Sequence, residues 1–364
     1  MYNKLMDSKI IKKVLDYAKQ HEITDLTVTQ RNGNHILYGE GELTKHQLKL
    51  PARLEDELGL AYRHLLSLAP NDLVSGVYFK DKDSAFKISI IPDSEGEKII
   101  INTVAKTRKV MTLSRLGLGR DERKLIENFL RRRRGIIVIG ADDNQGKTTT
   151  LYSLLEKIDK TKRVCYLLEK HSELELDEVN KIVSSGDKRL TDLHRILKSD
   201  SEVIAIDDAD SELLKEAISA AEAGRLVIVS VKTDDAASLV DKVRKVSKGE
   251  DVPLLLVYQK LLIKNCPYCL KAYLINESEE LITKYWPVEK KYKPKHFFSS
   301  TGCHKCNHSG ANGQIASFNL IEMNKKDVNI ISSLASDVLQ KASNGLISMS
   351  KFIAEYKSAS EKKL

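Results

Sequence analysis

The sequence predicts an α/β fold built on a mostly parallel sheet, and two observations carry that expectation. Short continuous Val/Ile/Leu runs at 136–140, 164–169, 203–208 and 226–231 alternate with helical stretches at 146–157, 191–198, 211–223 and 235–246. Apolar runs without polar alternation suit strands buried on both faces, the pattern of parallel sheets. The first run also leads directly through a short turn into a helix, the order a βα unit requires.

At 364 residues the chain has room for two or three domains of roughly 150 residues each. A hydrophobic fraction of 41% with 30% charged residues is globular, and it excludes collagen-like and disordered classes. No apolar stretch approaches the ~18 residues of a bilayer span. The first twenty residues interleave Lys with apolar positions instead of forming a continuous apolar run, so no secretory leader and a cytoplasmic location are expected. The net charge of +8 comes entirely from residues 241–364, where 20 Lys and Arg face 12 Asp and Glu. A solvated basic face accounts for it, with an anionic surface partner as the alternative. Aromatic residues make up only 6%, too few for stacking platforms, and nucleic acid is not expected as a partner.

Residues 1–110 read as a small α+β domain. It has an amphipathic helix over the first twenty residues, strands at 25–30, 35–39, 77–80, 86–91 and 99–104, and a helix at 53–68. Pro92-Asp93-Ser94-Glu95-Gly96 supplies a hairpin turn. Residues 111–120 read as a linker and 121–252 as the α/β core. A cysteine-bearing subdomain is expected over 253–322, and C-terminal helices over 323–364, near Asp327 and Met349. The run Arg131-Arg132-Arg133-Arg134 ends the first core helix, where cations complement the helix dipole. Lone Cys165 lies in an apolar strand and is expected in the core.

The sharpest chemical signal is Gly140-Ala-Asp-Asp-Asn144-Gln145-Gly146-Lys147-Thr148-Thr149, a G-x-x-x-x-G-K-T phosphate loop between a buried strand and a helix. Its glycines permit a tight turn whose amides face an anion, and the helix adds the positive end of its dipole. Lys147 would neutralise the β- and γ-phosphate oxygens, and the Thr148 hydroxyl would meet Mg²⁺. Asp142 and Asp143 bring negative charge beside the cradle. Such a loop needs a carboxylate at the end of a neighbouring strand, and the run ending Asp207-Asp208 supplies one; Asp208 is the expected Mg²⁺ partner. Glu169, ending the strand at 164–169, is a second candidate to polarise water.

Cys266-Pro-Tyr-Cys269 and Cys303-His-Lys-Cys306 have the spacing of two knuckles closing one tetrahedral Zn²⁺ site. Four thiolates fill the coordination shell, so the site would be structural. Lys264, Lys271 and Lys305 suit its net negative charge. His304 and His308 are expected at the surface.

A phosphate loop, a β-rich domain before it and a Cys₄ insert after it together resemble the type II secretion and type IV pilus assembly (extension) ATPases, over about residues 23–322. Residues 135–152 are similar to the family's Walker A segment. Glu169 falls in a segment resembling its aspartate box, Asp208 in its Walker B and residues 224–236 in its histidine box. Gln259-Lys-Leu261 and the cysteine pairs resemble its zinc region, which the retraction motors lack. Several positions depart from the family pattern. Asp208 replaces a glutamate, Lys232 the box histidine and Lys170 the box aspartate. Ala209-Asp210 shortens an arginine-containing motif. Lys87, Lys98, Asn102 and Gln314 stand where arginines do, and lysine cannot copy their bidentate fork.

The resemblance implies a RecA-like P-loop core preceded by a PAS-like domain. It implies ATP, Mg²⁺ and Zn²⁺ as cofactors, and ATP hydrolysis by a homo-oligomeric, hexameric motor. That motor would lie at the inner face of the cell membrane beneath a platform protein. The docking domains that precede the core in many relatives are not expected here. Lys147, Asp208 and Glu169 would serve catalysis. Gly140, Asn144, Gln145, Gly146, Lys147, Thr148, Thr149 and Lys232 would bind nucleotide. The lost arginines and histidine leave open a nucleotide-binding structural or regulatory subunit with weakened hydrolysis.

Overall fold

The computed structural model describes residues 23–31, 34–41, 45–48, 77–80, 85–93, 96–104, 110–170, 174, 176–247, 252–275, 295–324 and 327–349. The helices expected at 1–20 and 53–68 lie outside these residues. The chain divides into two compact units, Met1–Arg108 and Lys109–Leu364.

In the first unit, β1 (Ile23–Arg31), β2 (Asn34–Gly41), β3 (Lys45–Leu48), β4 (Val77–Lys80), β5 (Ala85–Asp93) and β6 (Gly96–Val104) form one sheet. Its order is β3-β2-β1-β6-β5-β4, with every neighbour antiparallel. The strands expected from sequence all fall within these elements, and β3 is an addition. Asp93 pairs with Gly96 where the chain reverses between β5 and β6, as the Pro/Asp/Gly-rich segment predicts.

The second unit begins with α1 (Leu113–Leu116) and α2 (Arg120–Leu130). It continues through β7 (Gly135–Ala141), α3 (Lys147–Glu156), β8 (Cys165–Glu169), β9 (Val179–Val183), α4 (Lys188–Leu197), β10 (Val203–Ala209), α5 (Ser211–Glu222), β11 (Leu226–Lys232) and α6 (Ala236–Val246). After these come β12 (Leu254–Asn265), β13 (Leu270–Leu274), β14 (His296–Ser300), β15 (Ala311–Met323), β16 (Val328–Ser332) and α7 (Leu334–Ser343). An eight-stranded sheet runs β16-β15-β12-β7-β11-β10-β8-β9. It is parallel from β12 to β9 and antiparallel at β15 and β16.

All seven residues of β7 are buried, which explains its unbroken apolar run. Alternate residues feed two cores. Ile136, Val138, Ile204, Ile206, Val227 and Val229 pack with residues of α5 and α6. Ile137, Ile139, Val203, Ala205, Leu226 and Ile228 pack with residues of α1, α2 and α3. Cys165 joins this second core, and burial pushes its thiol up to about 11.

Three segments differ from the sequence expectation. The stretch read as a linker at 111–120 carries α1, and its Leu113, Leu116 and Leu118 are buried in the core. Three leucines in a short polar segment have more to gain from burial than from bridging solvent. Near Asp327 the chain forms strand β16 in place of a helix. Val328, Ile330 and Ile331 are β-branched, and β15 offers them an edge to pair with. The polar edge strand β9 is also new, since Val-Asn-Lys-Ile-Val lacks the apolar run of its buried neighbours. The sheet meanwhile continues past residue 252, because β12 pairs with β7.

Candidate functional site

The phosphate loop leaves the sheet at the C-terminal end of β7 and re-enters secondary structure at Lys147, the first residue of α3. Gly140 is needed sterically: a Cβ there would lie 2.7 Å from Leu239 Cδ2 and 2.8 Å from Thr233 Cγ2. Gly146 takes φ +79°, where a side chain is strained. Asn144, at φ +58°, uses the left-handed region that Asn tolerates.

The loop is pinned from β12. Gln259, buried, donates through Nε2 to the Gln145 carbonyl at 2.5 Å and accepts from Thr150 Oγ1 at 2.7 Å. The Leu261 amide donates to Gln145 Oε1 at 2.7 Å. Gln145 thus spends its side chain on the scaffold. Lys147 is buried, and its Nζ donates to the carbonyls of Ala141 at 3.1 Å and Asp142 at 2.8 Å.

The two loop aspartates do not fill the cradle. Their side chains are 59% and 62% exposed, on its rim, where Lys232 forms ion pairs with both. The hydrogen bond from Lys232 holds the Asp143 carboxyl below its usual range, and the same bond raises the Lys232 ammonium. Lys232, expected at nucleotide, is therefore engaged with Asp143. Thr149 continues the loop into α3, where its carbonyl accepts from Ser153 Oγ at 2.7 Å.

Of the two strand-end carboxylates, the structure brings Asp207 to Thr148, whereas the sequence favours Asp208. Thr148 Oγ1 donates to Asp207 Oδ2 at 3.0 Å, whereas Asp208 forms an ion pair with Lys170. The cause is a β-bulge. Between the pairs Ile206–Val229 and Ala209–Val231, two residues of β10 oppose the single Ser230 of β11. Asp208 takes φ +48° in the bulge. Its amide donates to Ser230 Oγ at 2.7 Å, and Ser230 Oγ donates to Asp207 Oδ1 at 2.6 Å. The bulge aims Asp207 at the phosphate loop and turns Asp208 away. Glu169 is also redirected: it is fully buried, with Tyr152 donating to its Oε2, and so does not face a water-filled cleft.

Hydroxyl and carboxylate oxygens at Thr148 and Asp207 form a hard donor set suited to Mg²⁺. At the other end of β12 the four cysteines converge. The Cys266–Cys303 and Cys269–Cys306 sulfurs are 3.9 Å apart, and Cys303–Cys306 are 3.8 Å apart. All four Sγ atoms lie within 4.8 Å of one another. A tetrahedral site with Zn–S near 2.3 Å needs S···S of about 3.8 Å, so the set fits zinc. Backbone amides of Cys303 and Gly310 donate to Cys306 Sγ at 3.2 and 3.3 Å, which favours a thiolate. His304 and His308 are exposed and touch edge to face. No helix among the described residues is long and apolar enough to cross a membrane.

Sequence reasoning passed over Asp207, Ser230, Arg189 and the pinning role of Gln259. Asp207, Ser230 and Gln259 lay in segments already singled out, at 203–208, 224–236 and 259–261; Arg189, whose guanidinium donates to the Asp207 and Asp208 carbonyls, carries no local motif.

Comparison with known proteins supplies the lineage. The chain is 26% identical over 239 residues to the type II secretion system protein E of Dickeya dadantii, covering 63% of this chain and 46% of that one. It is 25% identical over 273 residues to the type IV pilus assembly ATPase PilB of Myxococcus xanthus, covering 72% and 48%. The chain thus spans about half the length of the curated relatives it matches. Among solved structures, the ATPase DotB of Legionella pneumophila aligns with a TM-score of 0.63 at 14% identity, over 96% of this chain and 95% of that chain. The pilus retraction motor PilT with bound ADP aligns with a TM-score of 0.53 at 18% identity, over 69% and 78%. These likenesses identify the fold as the RecA-like α/β fold of secretion ATPases. The family described as type II/IV secretion system protein matches residues 67–358, and the chain belongs to it.

Proposed function

We propose that the chain binds ATP with Mg²⁺ in the loop 140–149 and hydrolyses it as the motor subunit of a type II secretion or type IV pilus assembly machine. One observation carries the reading: Thr148 at the head of α3 shares a hydrogen bond with a strand-end carboxylate, Asp207, beside the Gly140–Gly146 turn. In this role Lys147 exchanges its loop carbonyls for phosphate oxygens. Thr148 and Asp207 supply the hydroxyl and the carboxylate that a magnesium ion requires, and bound Mg²⁺ would offset the charge of the triphosphate. Asn144, Gln145, Gly146 and Thr149 shape the cradle. The motor would be a hexamer at the inner face of the membrane, working against a platform protein. The four cysteines would hold a structural Zn²⁺.

A second reading, a nucleotide-binding subunit with weakened hydrolysis, is favoured by the burial of Glu169 under Tyr152 and by the pairing of Asp208 with Lys170. Both groups expected to orient water are occupied. The test is steady-state phosphate release with Mg²⁺, together with nucleotide binding, for the protein and for Lys147→Ala. Binding with turnover, both abolished in the variant, supports the motor. Binding with turnover no higher than the variant's supports the weakened subunit. No binding removes both.

A further inference from the structure

Arg189 is a costly side chain near the site that the proposed function leaves unused. It lies in the first turn of α4, where a cation opposes the positive end of the helix dipole. Only 4% of its surface is exposed, and its buried Nε has no hydrogen-bond partner among the described residues. A side chain kept at such expense needs a compensating contact.

That contact is the β10 bulge. Nη1 of Arg189 donates to the Asp208 carbonyl at 2.7 Å and Nη2 donates to the Asp207 carbonyl. The pairing of β10 with β8 ends at Ile206–Leu168, and the register of β10 with β11 is interrupted over Asp207 and Asp208. The guanidinium therefore spans two successive peptide planes where the strand ladder stops constraining them. Those planes set the direction of the Asp207 carboxylate toward Thr148. They also hold Asp208 at a left-handed φ that an unsupported chain would relax. Gly186, at φ +58°, turns the chain into α4, and its carbonyl accepts from the Arg189 amide at 3.1 Å.

We infer that Arg189 is a positioning residue: its two-pronged grip on the carbonyls of Asp207 and Asp208 locks the bulge in the geometry that presents Asp207 to the Mg²⁺ of a bound nucleotide. The inference rests on the reading of the phosphate loop above. Lysine at 189 keeps the charge but cannot donate to two carbonyls in a fixed plane.

The experiment measures affinity for a fluorescent non-hydrolysable ATP analogue, in EDTA and in saturating Mg²⁺, for the whole chain and for Arg189→Lys and Arg189→Gln. Binding in EDTA reports a folded loop independently of the metal. The expected result is unchanged EDTA affinity in at least one variant, with the Mg²⁺-dependent gain reduced by about 10- to 100-fold, as for loss of a group that orients a metal ligand. A gain equal to the wild type's in a variant with intact EDTA binding overturns the positioning role while leaving the nucleotide site standing. Equal loss in both media in both variants means Arg189 serves folding alone, and also overturns it. A wild-type protein that binds no analogue in either medium overturns the phosphate-loop reading, and this inference with it.

Discussion

Ser230 Oγ stands between two successive aspartates of one strand, accepting from the Asp208 amide at 2.7 Å and donating to Asp207 Oδ1 at 2.6 Å. This single hydroxyl separates the neighbours into two jobs, since the carboxylate it holds is the one that meets Thr148. Asp207→Asn is therefore expected to lower Mg²⁺-dependent nucleotide affinity or turnover by about 10- to 100-fold. Asp208→Asn, which releases Lys170, is expected to change them by less than about threefold, the scale of an exposed ion pair. The reverse order would return the role to Asp208.

Gln259 ties the phosphate loop to β12 with both ends of its amide. Gln259→Ala leaves the Gln145 carbonyl and the Thr150 hydroxyl without their partner, which costs about 1–3 kcal/mol for buried polar groups. Gln259→Glu keeps an acceptor for Thr150 and loses the donor to Gln145. Nucleotide affinity should fall in both variants, and urea unfolding should show the larger loss in Gln259→Ala. Unchanged affinity in both would mean that the loop holds its shape without this brace.

Much of this arrangement could be read before the structure, because its signals are local. The buried runs of β7, β8, β10 and β11 show their strand character in unbroken apolar composition, and 140–149 and the cysteine pairs are motifs of fixed spacing. What escaped depends on residues far apart in sequence. Choosing between Asp207 and Asp208 requires the bulge opposite Ser230, which no spacing within β10 reveals. Glu169 looked available because it ends a strand, yet Tyr152 from α3 covers it. Arg189 and Gln259 act through backbone carbonyls, a role available to any long donor and so without a motif. The misread strand at 328–332 formed because β15 offered an edge, a tertiary fact that overrides local preference.

Asp143 and Lys147 stand 3.7 Å apart, so the loop carries its own negative charge next to the cation meant for phosphate. Asp143→Asn removes that charge and leaves Lys232 paired with Asp142 alone. Unit charges about 4 Å apart in water interact by about 1 kcal/mol, and Asp143 is largely exposed, so a two- to fivefold rise in ATP affinity is expected, as an order of magnitude. Titration at low and high salt checks it, because screening should shrink the gain. A fall in affinity would show that Asp143 helps to hold the loop open.

The cysteine cluster predicts one Zn²⁺ per chain by metal analysis. Cys303→Ser, or treatment with a chelator, should remove it and loosen the ribbon of β13 and β14 that runs between the two cysteine pairs. Amide exchange there should accelerate by about tenfold or more, corresponding to a loss of at least about 1.4 kcal/mol of local stability. Exchange in β7 should stay unchanged. Full retention of zinc in Cys303→Ser would exclude a four-thiolate site.

Glu122, at the start of α2, feels the charges of Asp337 and Lys341 on α7. Its Oε2 accepts from the Gly119 amide at 2.7 Å, close to a buried group in which Lys341 pairs with Asp337, and Ser317 Oγ and the Phe318 amide each donate to Asp337 at 2.8 Å. Burial, reinforced by the charge of Asp337, raises the Glu122 carboxyl above 4.5; the Gly119 amide, Ser332 and Lys341 only partly offset this. A carboxyl whose folded value lies above its unfolded one favours folding when protonated, so that contribution fades as pH rises through the folded value. At neutral pH the Glu122 carboxyl therefore weakens the fold relative to an uncharged group. Glu122→Gln, which still accepts from Gly119, should be more stable than the parent at pH 7. The advantage should shrink as pH falls and vanish below about 4.5, where Glu122 is protonated in both states. Urea unfolding at several pH values reads this directly. A difference that does not depend on pH would assign the effect to packing and not to the charge.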